Sequence, residues 1–297
     1  MPDPDLWSPL DPGPPAGRVR STDGTSIAWF RAARPGSGRT SSPLLLIHGA
    51  TADHTTFRAV GDRFAARRPV YAMDRRGRGA SGDGPPGEPY AIEREFDDVA
   101  LVVATIAAAE GRPIDVLGHS FGGRVAIGAA AGGAAAAGGL RRLVLYESAP
   151  AAPGMSFELP GLVDRLRRLE AAGDRDALMS AFMSEVVGLT DRELAAYRAG
   201  PTWPVRLRAA HTIVRELTAE AGDGDEDAIR RLGGSVRIPV LQLLGGESRE
   251  VFRAGTAALD AALPDGEIVV LPGQKHAAHH GDPSRFVSEV ERFLDRA

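Results

Sequence analysis

The sequence predicts an α/β protein with a mostly parallel, doubly wound sheet and a helical lid inserted late in the chain. Short apolar runs, typical of strands buried on both faces, alternate with segments of helical periodicity. The region from residue 151 to residue 234 interrupts this alternation and shows only helical patterns. An interval of that length is much longer than an ordinary connection between strands, so we expect it to form a separate layer.

The predicted strands follow one another along the chain as seven apolar runs. They cover residues 26–30, 44–47, 70–73, 113–117, 140–146, 239–244 and 267–271. The runs at 44–47 and 70–73 are entirely apolar, as expected of strands covered by helices on both faces. Helical periodicity fills residues 92–109 and 251–263, and an amphipathic pattern over 283–294 predicts a final helix.

These patterns divide the chain into three parts. Residues 1–17 are rich in proline and aspartate, and we expect a flexible N-terminal tail there. Residues 18–150 and 235–297 are predicted to form the core. Residues 151–234 are predicted to form the lid, with helical segments separated by Pro160, Gly173 and an acidic turn at 222–225.

Composition excludes several classes of protein. A formal net charge of −4 argues against a general nucleic-acid-binding protein, which needs a concentrated basic surface. The absence of cysteine excludes disulfides, thiolate metal sites and a cysteine nucleophile. The N-terminus resembles neither a signal peptide nor a membrane anchor, so we expect a cytoplasmic protein without a membrane partner. The oligomeric state, monomer or homodimer, stays open.

The most informative motif is the segment 118–123, with the sequence GHSFGG. It follows a predicted strand and precedes a helical stretch of small residues. Gly118 and Gly122 flank Ser120 at positions where a side chain would collide with neighbouring backbone. This arrangement is typical of a nucleophile elbow, which holds a serine hydroxyl above the carboxyl end of a parallel sheet.

A serine hydroxyl needs a base to accept its proton, and the base is expected in a loop after a late strand. His276 occupies such a loop, between the last predicted strand and the final helix. His279 and His280 lie on the same loop but farther from the end of the strand. They are therefore the alternatives to His276 as the base.

A carboxylate is expected to orient the histidine, and two glutamates are candidates. Glu147 ends the strand that follows the serine helix, and Glu247 lies in the loop after the next strand. We favour Glu147 and keep Glu247 as the alternative acid. The developing oxyanion also needs donors, for which we predict the backbone amides of Phe121 and Ala50. His48, beside Ala50 at a strand end, is expected to have a structural role.

Together these features resemble the α/β-hydrolase superfamily, from about residue 18 to residue 294. The motifs occur in the order of that family: His48-Gly49, the D-x-R-G-x-G-x-S loop at 74–81, the elbow, a lid and a late histidine. The resemblance implies an eight-stranded, mostly parallel sheet. It also implies a Ser-His-acid triad that works without a metal or an organic cofactor.

One position departs from the common pattern of that family. The usual acid is the last residue of a G-x-x-D turn, and here Ser248 occupies that place. Some members, including haloalkane dehalogenases, carry the acid one strand earlier, at the position that matches Glu147. The departure therefore favours Glu147. Haloalkane dehalogenases and epoxide hydrolases of this fold use an aspartate nucleophile, and Ser120 argues against both activities.

The leading functional hypothesis is a serine hydrolase that cleaves an ester, thioester or lactone through an acyl-enzyme. Its partner would be a small to medium-sized, largely apolar substrate, selected by the lid, with Met183 and Trp203 as candidate contacts. One alternative is a C–C bond hydrolase, cyclase or acyltransferase of small-molecule biosynthesis. A second alternative is a ligand-binding member of the fold without turnover. We expect Arg75, Arg76 and Arg78 to form a solvated, ion-paired loop.

Overall fold

In a computed structural model that describes residues 6–32, 41–134, 138–157, 160–220 and 225–296, the strands form one sheet. The eight strands described are β1 Gly17–Arg20, β2 Ser26–Arg31, β3 Leu44–Ile47, β4 Val70–Met73, β5 Ile114–His119, β6 Leu140–Tyr146, β7 Val240–Gly245 and β8 Gly266–Leu271. Their order is β1-β2-β4-β3-β5-β6-β7-β8. The pairs β1–β2 and β2–β4 are antiparallel and the others parallel. The predicted fold class is confirmed.

The helices cover both faces of the sheet and its carboxyl edge. Those described are α1 Gly61–Ala65, α2 Ile92–Glu110, α3 Phe121–Ala129, α4 Leu162–Ala171, α5 Arg175–Ala181, α6 Asp191–Arg198, α7 Trp203–Arg208, α8 Ile213–Glu220, α9 Glu226–Ser235, α10 Glu250–Ala262, α11 Ala278–Gly281 and α12 Pro283–Leu294. Short 3₁₀ turns lie at His54–Phe57 and Ala210–Thr212, and π-helical segments at Ala130–Ala134 and Phe182–Val187. Across the described ranges, no helix is both long and apolar enough to cross a membrane.

The sheet is buried between two apolar layers. Because successive side chains of a strand point to opposite faces, Leu45 and Ile47 of β3 join the layer formed with α2, α3 and α10. Leu44 and Leu46 join the opposite layer, formed with α1 and α12. All four side chains are fully buried, as the uninterrupted apolar run predicts.

The helices between β6 and β7 do not all belong to one layer. Helices α4 to α8 have an apolar core of their own, which includes Leu166, Met179 and Ile213. Helix α9 instead packs on the sheet, where Ile229 is buried with residues of α2 and α10. The predicted lid range 151–234 therefore includes a helix that packs on the core. Helical periodicity identified α9 but does not tell which surface a helix covers. Residues 222–224 of the predicted acidic turn lie outside the described residues.

Part of the predicted tail contacts the core. Trp7 is only 3% exposed, and its indole Nε1 donates to Asp62 Oδ1 at 2.9 Å. It packs with Phe57 and Phe64 in the layer beside α1. Residues 1–5 lie outside the described residues, and the flexibility of the tail stays a prediction.

Candidate active site

Ser120 lies at the tip of a tight turn between β5 and α3. Its backbone has φ = 53° and ψ = −131°, a conformation that non-glycine residues rarely adopt. The turn is held by the Ser120 amide, which donates to the carbonyl of Tyr146 at 2.8 Å. A Cβ at Gly118 would overlap Gly123, and one at Gly122 would overlap the carbonyl of His48. The flanking glycines are therefore required by close backbone contacts, as the motif predicts.

His276 and Glu147 meet at the carboxyl edge of the sheet. His276 Nδ1 lies 2.6 Å from Glu147 Oε2. Glu147 is 3% exposed and follows directly after β6, with φ = 48°. Ser120, His276 and Glu147 line one cavity. The structure thus brings together the three residues that the sequence predicts as nucleophile, base and acid.

The second oxygen of Glu147 is held by β7 and the loop after it. Oε1 accepts the amide of Gly245 at 2.7 Å and the hydroxyl of Ser248. Ser248 occupies the place of the family's usual acid, and here it donates to the glutamate of the neighbouring strand. Glu247 is exposed, and no hydrogen bond or ion pair among the described residues joins its side chain to His276. The alternative acid is therefore not brought to the site.

Two further residues hold the loop that carries His276, and sequence reasoning did not identify them. His119 Nε2 donates to the carbonyl of His276 at 2.8 Å. The Tyr146 hydroxyl donates to the carbonyl of Lys275 and accepts the amide of Ala278 at 2.9 Å. The sequence held one indication of this role: His119 and Tyr146 end their strands directly before Ser120 and Glu147, so both would lie near the site.

The electrostatics of the site keep these two groups uncharged. Burial, with the neighbouring His276, lowers the pKa of His119 well below its usual value, so the ring is neutral and can donate through Nε2. Burial and the nearby Glu147 carboxylate raise the pKa of the Tyr146 hydroxyl, which stays protonated. The loop that carries His276 is thus held by two uncharged hydrogen-bond donors, His119 and Tyr146.

The other three histidines near the site, His48, His279 and His280, are buried or hydrogen-bonded within the fold, and among the described residues none of them contacts Glu147. His279 is 2% exposed, packs against Phe57 and Phe286, and has no hydrogen-bond partner among the described residues. Burial, reinforced by nearby arginines, lowers the pKa of His280 to about 4. His48 accepts the amide of Arg75 at Nε2 at 3.0 Å, which leaves Nδ1 to donate to the carbonyl of Gly49 at 2.9 Å. None of the three contacts Glu147 as His276 does.

The predicted oxyanion donors lie beside Ser120. Ala50 and Phe121 both line the cavity that contains Ser120 and His276. Phe121 is the first residue of α3, where backbone amides have no acceptor within the helix and the helix dipole is positive. Thr51, directly after Ala50, is fully buried with φ = 57°. Both residues therefore lie at the cavity of Ser120, and their role as oxyanion donors stays a prediction.

The arginines of the 74–81 loop are ion-paired, but the expectation that they are solvated is wrong. Arg75 is fully buried and contacts Glu95 at 2.8 Å and Glu216 of α8 at 2.5 Å. Arg78 is 2% exposed and also pairs with Glu216. Arg76, 2% exposed, pairs with Asp98 at 2.8 Å. The carboxylates come from α2 and the lid, so the loop's own sequence could not show that it would be covered.

Two cavities meet at Ser120 and His276. The smaller one, of about 50 Å³, is lined by apolar side chains and by the polar residues Ser120, Glu147, Ser148, Glu216 and His276. The larger one, of about 420 Å³, lies between the lid and the loops of the core. It is lined by Gly49, Ala50, Ala52, Thr56, Arg58, His119, Ser120, Phe182, Met183, Val187, Gly188, Leu189, Glu193, Tyr197, Arg206, Lys275, His276, Ala277, His279 and His280.

Of the two residues of the lid that were predicted to contact substrate, Met183 and Trp203, one lines the large cavity and the other does not. Met183 lines the large cavity. Trp203 lines neither cavity beside Ser120, and the expectation that it contacts substrate is not met. It is 6% exposed within the core of the lid, where its indole donates to Asp176 at 2.9 Å and packs edge-on against Tyr197. In the sequence, a large apolar side chain at helical spacing more often indicates packing within the protein than contact with a substrate, but the spacing does not separate the two roles.

Comparison with known proteins gives the same family at the level of sequence. A model described as the alpha/beta hydrolase family matches residues 44–290. The chain is 29% identical over 262 residues to N-formylmaleamate deformylase of Pseudomonas putida, covering 85% of this chain and 88% of the relative. It is 40% identical over 260 residues to a pimeloyl-[acyl-carrier protein] methyl ester esterase of Neisseria meningitidis serogroup A. This match covers 84% of this chain and 76% of the relative.

A solved structure extends the similarity to the whole fold. An alpha/beta hydrolase from Sphaerobacter thermophilus superposes with a TM-score of 0.76 at 31% identity. The match covers 94% of this chain and 100% of the other.

Proposed function

Because the chain belongs to the alpha/beta hydrolase family and is a hydrolase, we propose that it cleaves an ester, thioester or lactone through an acyl-enzyme on Ser120. The observation that carries this proposal is the 2.6 Å contact between His276 Nδ1 and the buried carboxylate of Glu147, in the cavity that Ser120 lines. A serine becomes a strong nucleophile only beside a base that is itself oriented.

The proposed reaction follows from the roles that these contacts allow. Because His276 keeps its proton on Nδ1, where it donates a hydrogen bond to Glu147, its Nε2 is free to accept the proton of Ser120. The Ser120 oxygen attacks the carbonyl carbon, and the amides of Ala50 and Phe121 stabilise the oxyanion. The tetrahedral intermediate collapses as His276 returns the proton to the leaving oxygen or sulfur. Water, activated by His276, then attacks the acyl-enzyme and releases the acid.

The large cavity supports a small to medium-sized substrate with an apolar body. Its volume of about 420 Å³ lies within the range of small-molecule sites. Phe182, Met183, Val187 and Leu189 line the lid side of the cavity. The relatives named above include a deformylase and a methyl ester esterase, which is why the test panel should contain a formamide as well as esters.

Steady-state hydrolysis of p-nitrophenyl acetate, butyrate and octanoate, and of the formamide 4-nitroformanilide, tests the proposal. We expect turnover by the wild type and a loss of kcat of about 10³-fold or more in Ser120→Ala, because removing a triad nucleophile leaves only binding and the oxyanion donors. Ser235→Ala, at an exposed serine on α9, is the matched control and should retain full activity. Equal turnover by wild type and Ser120→Ala would contradict the proposal.

A further inference from the structure

We propose that Arg206 in the large cavity binds a carboxylate carried by the substrate. The inference rests on the proposed function, since the cavity is the one that Ser120 and His276 line. The proposed substrate would then have a negatively charged end in addition to its apolar body.

Arg206 is a half-buried cation whose hydrogen bonds are all with neutral oxygens, and its guanidinium also lies over the Tyr197 ring, 5.9 Å from the centroid. From α7 it reaches the core, where Nη1 donates to the carbonyl of Ala50 at 3.2 Å and the hydroxyl of Thr51 at 3.3 Å. Nη2 donates to the hydroxyl of Thr56 at 3.5 Å. Among the described residues, no carboxylate lies within 4.0 Å of its guanidinium. The buried Arg75, in contrast, is paired with two glutamates.

Among the titratable side chains that line this cavity, the cations outnumber the carboxylates. Arg58 is exposed at the cavity and adds a second cation. Lys275 and Glu193 lie 3.4 Å apart and offset each other, and Glu193 also caps α6 through Thr190. His119, His279 and His280 have pKa values lowered by burial and are neutral near pH 7. The charge of Arg206 is therefore not compensated by the described walls of the cavity.

The guanidinium has the geometry to bind a carboxylate. It presents five N–H donors in a planar fork that matches the two oxygens of a carboxylate, and its existing hydrogen bonds are long. Charge-assisted bonds of this kind are shorter and about twice as strong as neutral ones. Because Arg206 also contacts the carbonyl of Ala50, a bound anion would sit next to the predicted oxyanion loop and help to fix the substrate relative to Ser120.

Matched pairs of anionic and neutral esters test the inference. Monophenyl adipate and methyl phenyl adipate place the charge on the acyl side, and 3-acetoxybenzoate and its methyl ester place it on the leaving group. The measured quantity is the ratio of kcat/KM for the anion to that for its neutral partner. For at least one pair, we expect this ratio to fall about 10- to 100-fold in Arg206→Met, the scale of one charged hydrogen-bonded contact. Arg206→Lys should retain part of it.

Two controls separate charge recognition from damage to the fold. Arg208→Met removes an exposed arginine from the same helix that does not line the large cavity, and its ratio should equal that of the wild type. In the wild type alone, raising the ionic strength should lower the ratio, because salt screens the guanidinium. Ratios that are the same in wild type and Arg206→Met would overturn the inference, as would a wild-type ratio that does not respond to salt.

Adipate binding, measured by calorimetry on Ser120→Ala and on Ser120→Ala with Arg206→Met, separates this inference from the proposed function. Binding that requires Arg206, together with no ester turnover by the wild type, would support the anion site and contradict the hydrolytic mechanism. Turnover of neutral esters that requires Ser120, without a preference for anions and without adipate binding, would overturn the anion site and leave the mechanism standing.

Discussion

Thr51, Ser120 and Glu147 are the non-glycine residues with positive φ in the described ranges of the chain. Each follows a strand of the sheet; Ser120 and Glu147 line one cavity, and Thr51 comes directly after Ala50, which lines the same cavity. Such conformations cost about 1–3 kcal/mol each and persist only where the surrounding packing enforces them. Their positions indicate that the packing around the site holds Ser120, Glu147 and the loop of Ala50 and Thr51 in conformations that cost stability.

The acid of the triad can be tested by paired amide substitutions. We expect Glu147→Gln to lower kcat/KM for a p-nitrophenyl ester by about 10²- to 10⁴-fold, because an amide cannot hold the required tautomer of His276 or stabilise the imidazolium. Glu247→Gln, at the exposed alternative position, should change kcat/KM less than about threefold. A large loss in Glu247→Gln with little change in Glu147→Gln would show that the acid has been assigned wrongly.

Among single residues, the sequence predicts the candidate catalytic side chains better than it predicts the residues that hold them in position. Ser120 and His276 follow from motif and position, because a tight turn needs glycines and a base needs a loop after a late strand. Glu147 and Glu247 could not be separated by the residues alone, since each comes shortly after one of two neighbouring strands. The contact of Ser248 with Glu147 depends on the alignment of β6 with β7, which no local pattern encodes.

Among the elements, α8 links the lid to the core through a buried charge. Glu216 on α8 is 2% exposed and pairs with Arg75 and Arg78 of the loop after β4. Burial disfavours the charged form of neighbouring Glu95, yet Arg75 and Arg78 hold its pKa below the usual value. The two arginines and two glutamates thus compensate one another in a region from which water is excluded.

Removing one of these carboxylates should destabilise the protein strongly. We expect Glu216→Gln to lower the free energy of unfolding by about 3–5 kcal/mol, because the two buried arginines Arg75 and Arg78 would then share the carboxylate of Glu95 and one positive charge would be uncompensated. Glu226→Gln, which removes an exposed ion pair on α9, should cost less than about 1 kcal/mol. Urea unfolding of both variants measures the difference, and equal costs would contradict a structural role for the buried cluster.

The elements were predictable where burial is periodic, and less so at the edges. The all-apolar β3 and β4 and the long helix α2 occur where their patterns predict them. Strand β1, with the sequence GRVR, is a short edge strand with no apolar run, so only the resemblance to the family implied an eighth strand. The placement of α9 on the core likewise depends on which surface is left uncovered after folding.

For the molecule as a whole, several histidines are kept neutral by the interior. Burial lowers the pKa values of His48, His119 and His279 well below the usual value. The unfolded chain protonates these side chains near pH 6.5, whereas the folded chain resists protonation. Their contribution to stability is therefore complete above pH 6.5 and is lost as the pH falls below it.

Replacing one of these histidines should weaken the pH dependence of stability. His279 lacks a described hydrogen-bond partner, so His279→Leu should lower the slope of unfolding free energy against pH by about 1.2 kcal/mol per unit between pH 6 and 5. Phe286→Leu, a packing change beside His279, should lower stability without altering that slope. Urea titrations across this range measure both, and an unchanged slope in His279→Leu would contradict burial in the neutral form.

Covalent labelling tests the claim that the fold assembles an activated serine. Wild type and Ser120→Ala would each be treated with a fluorophosphonate and weighed intact by mass spectrometry. An activated Ser120 predicts one adduct per wild-type chain and none on Ser120→Ala. An unlabelled wild type, or equal labelling of both proteins, would contradict the claim.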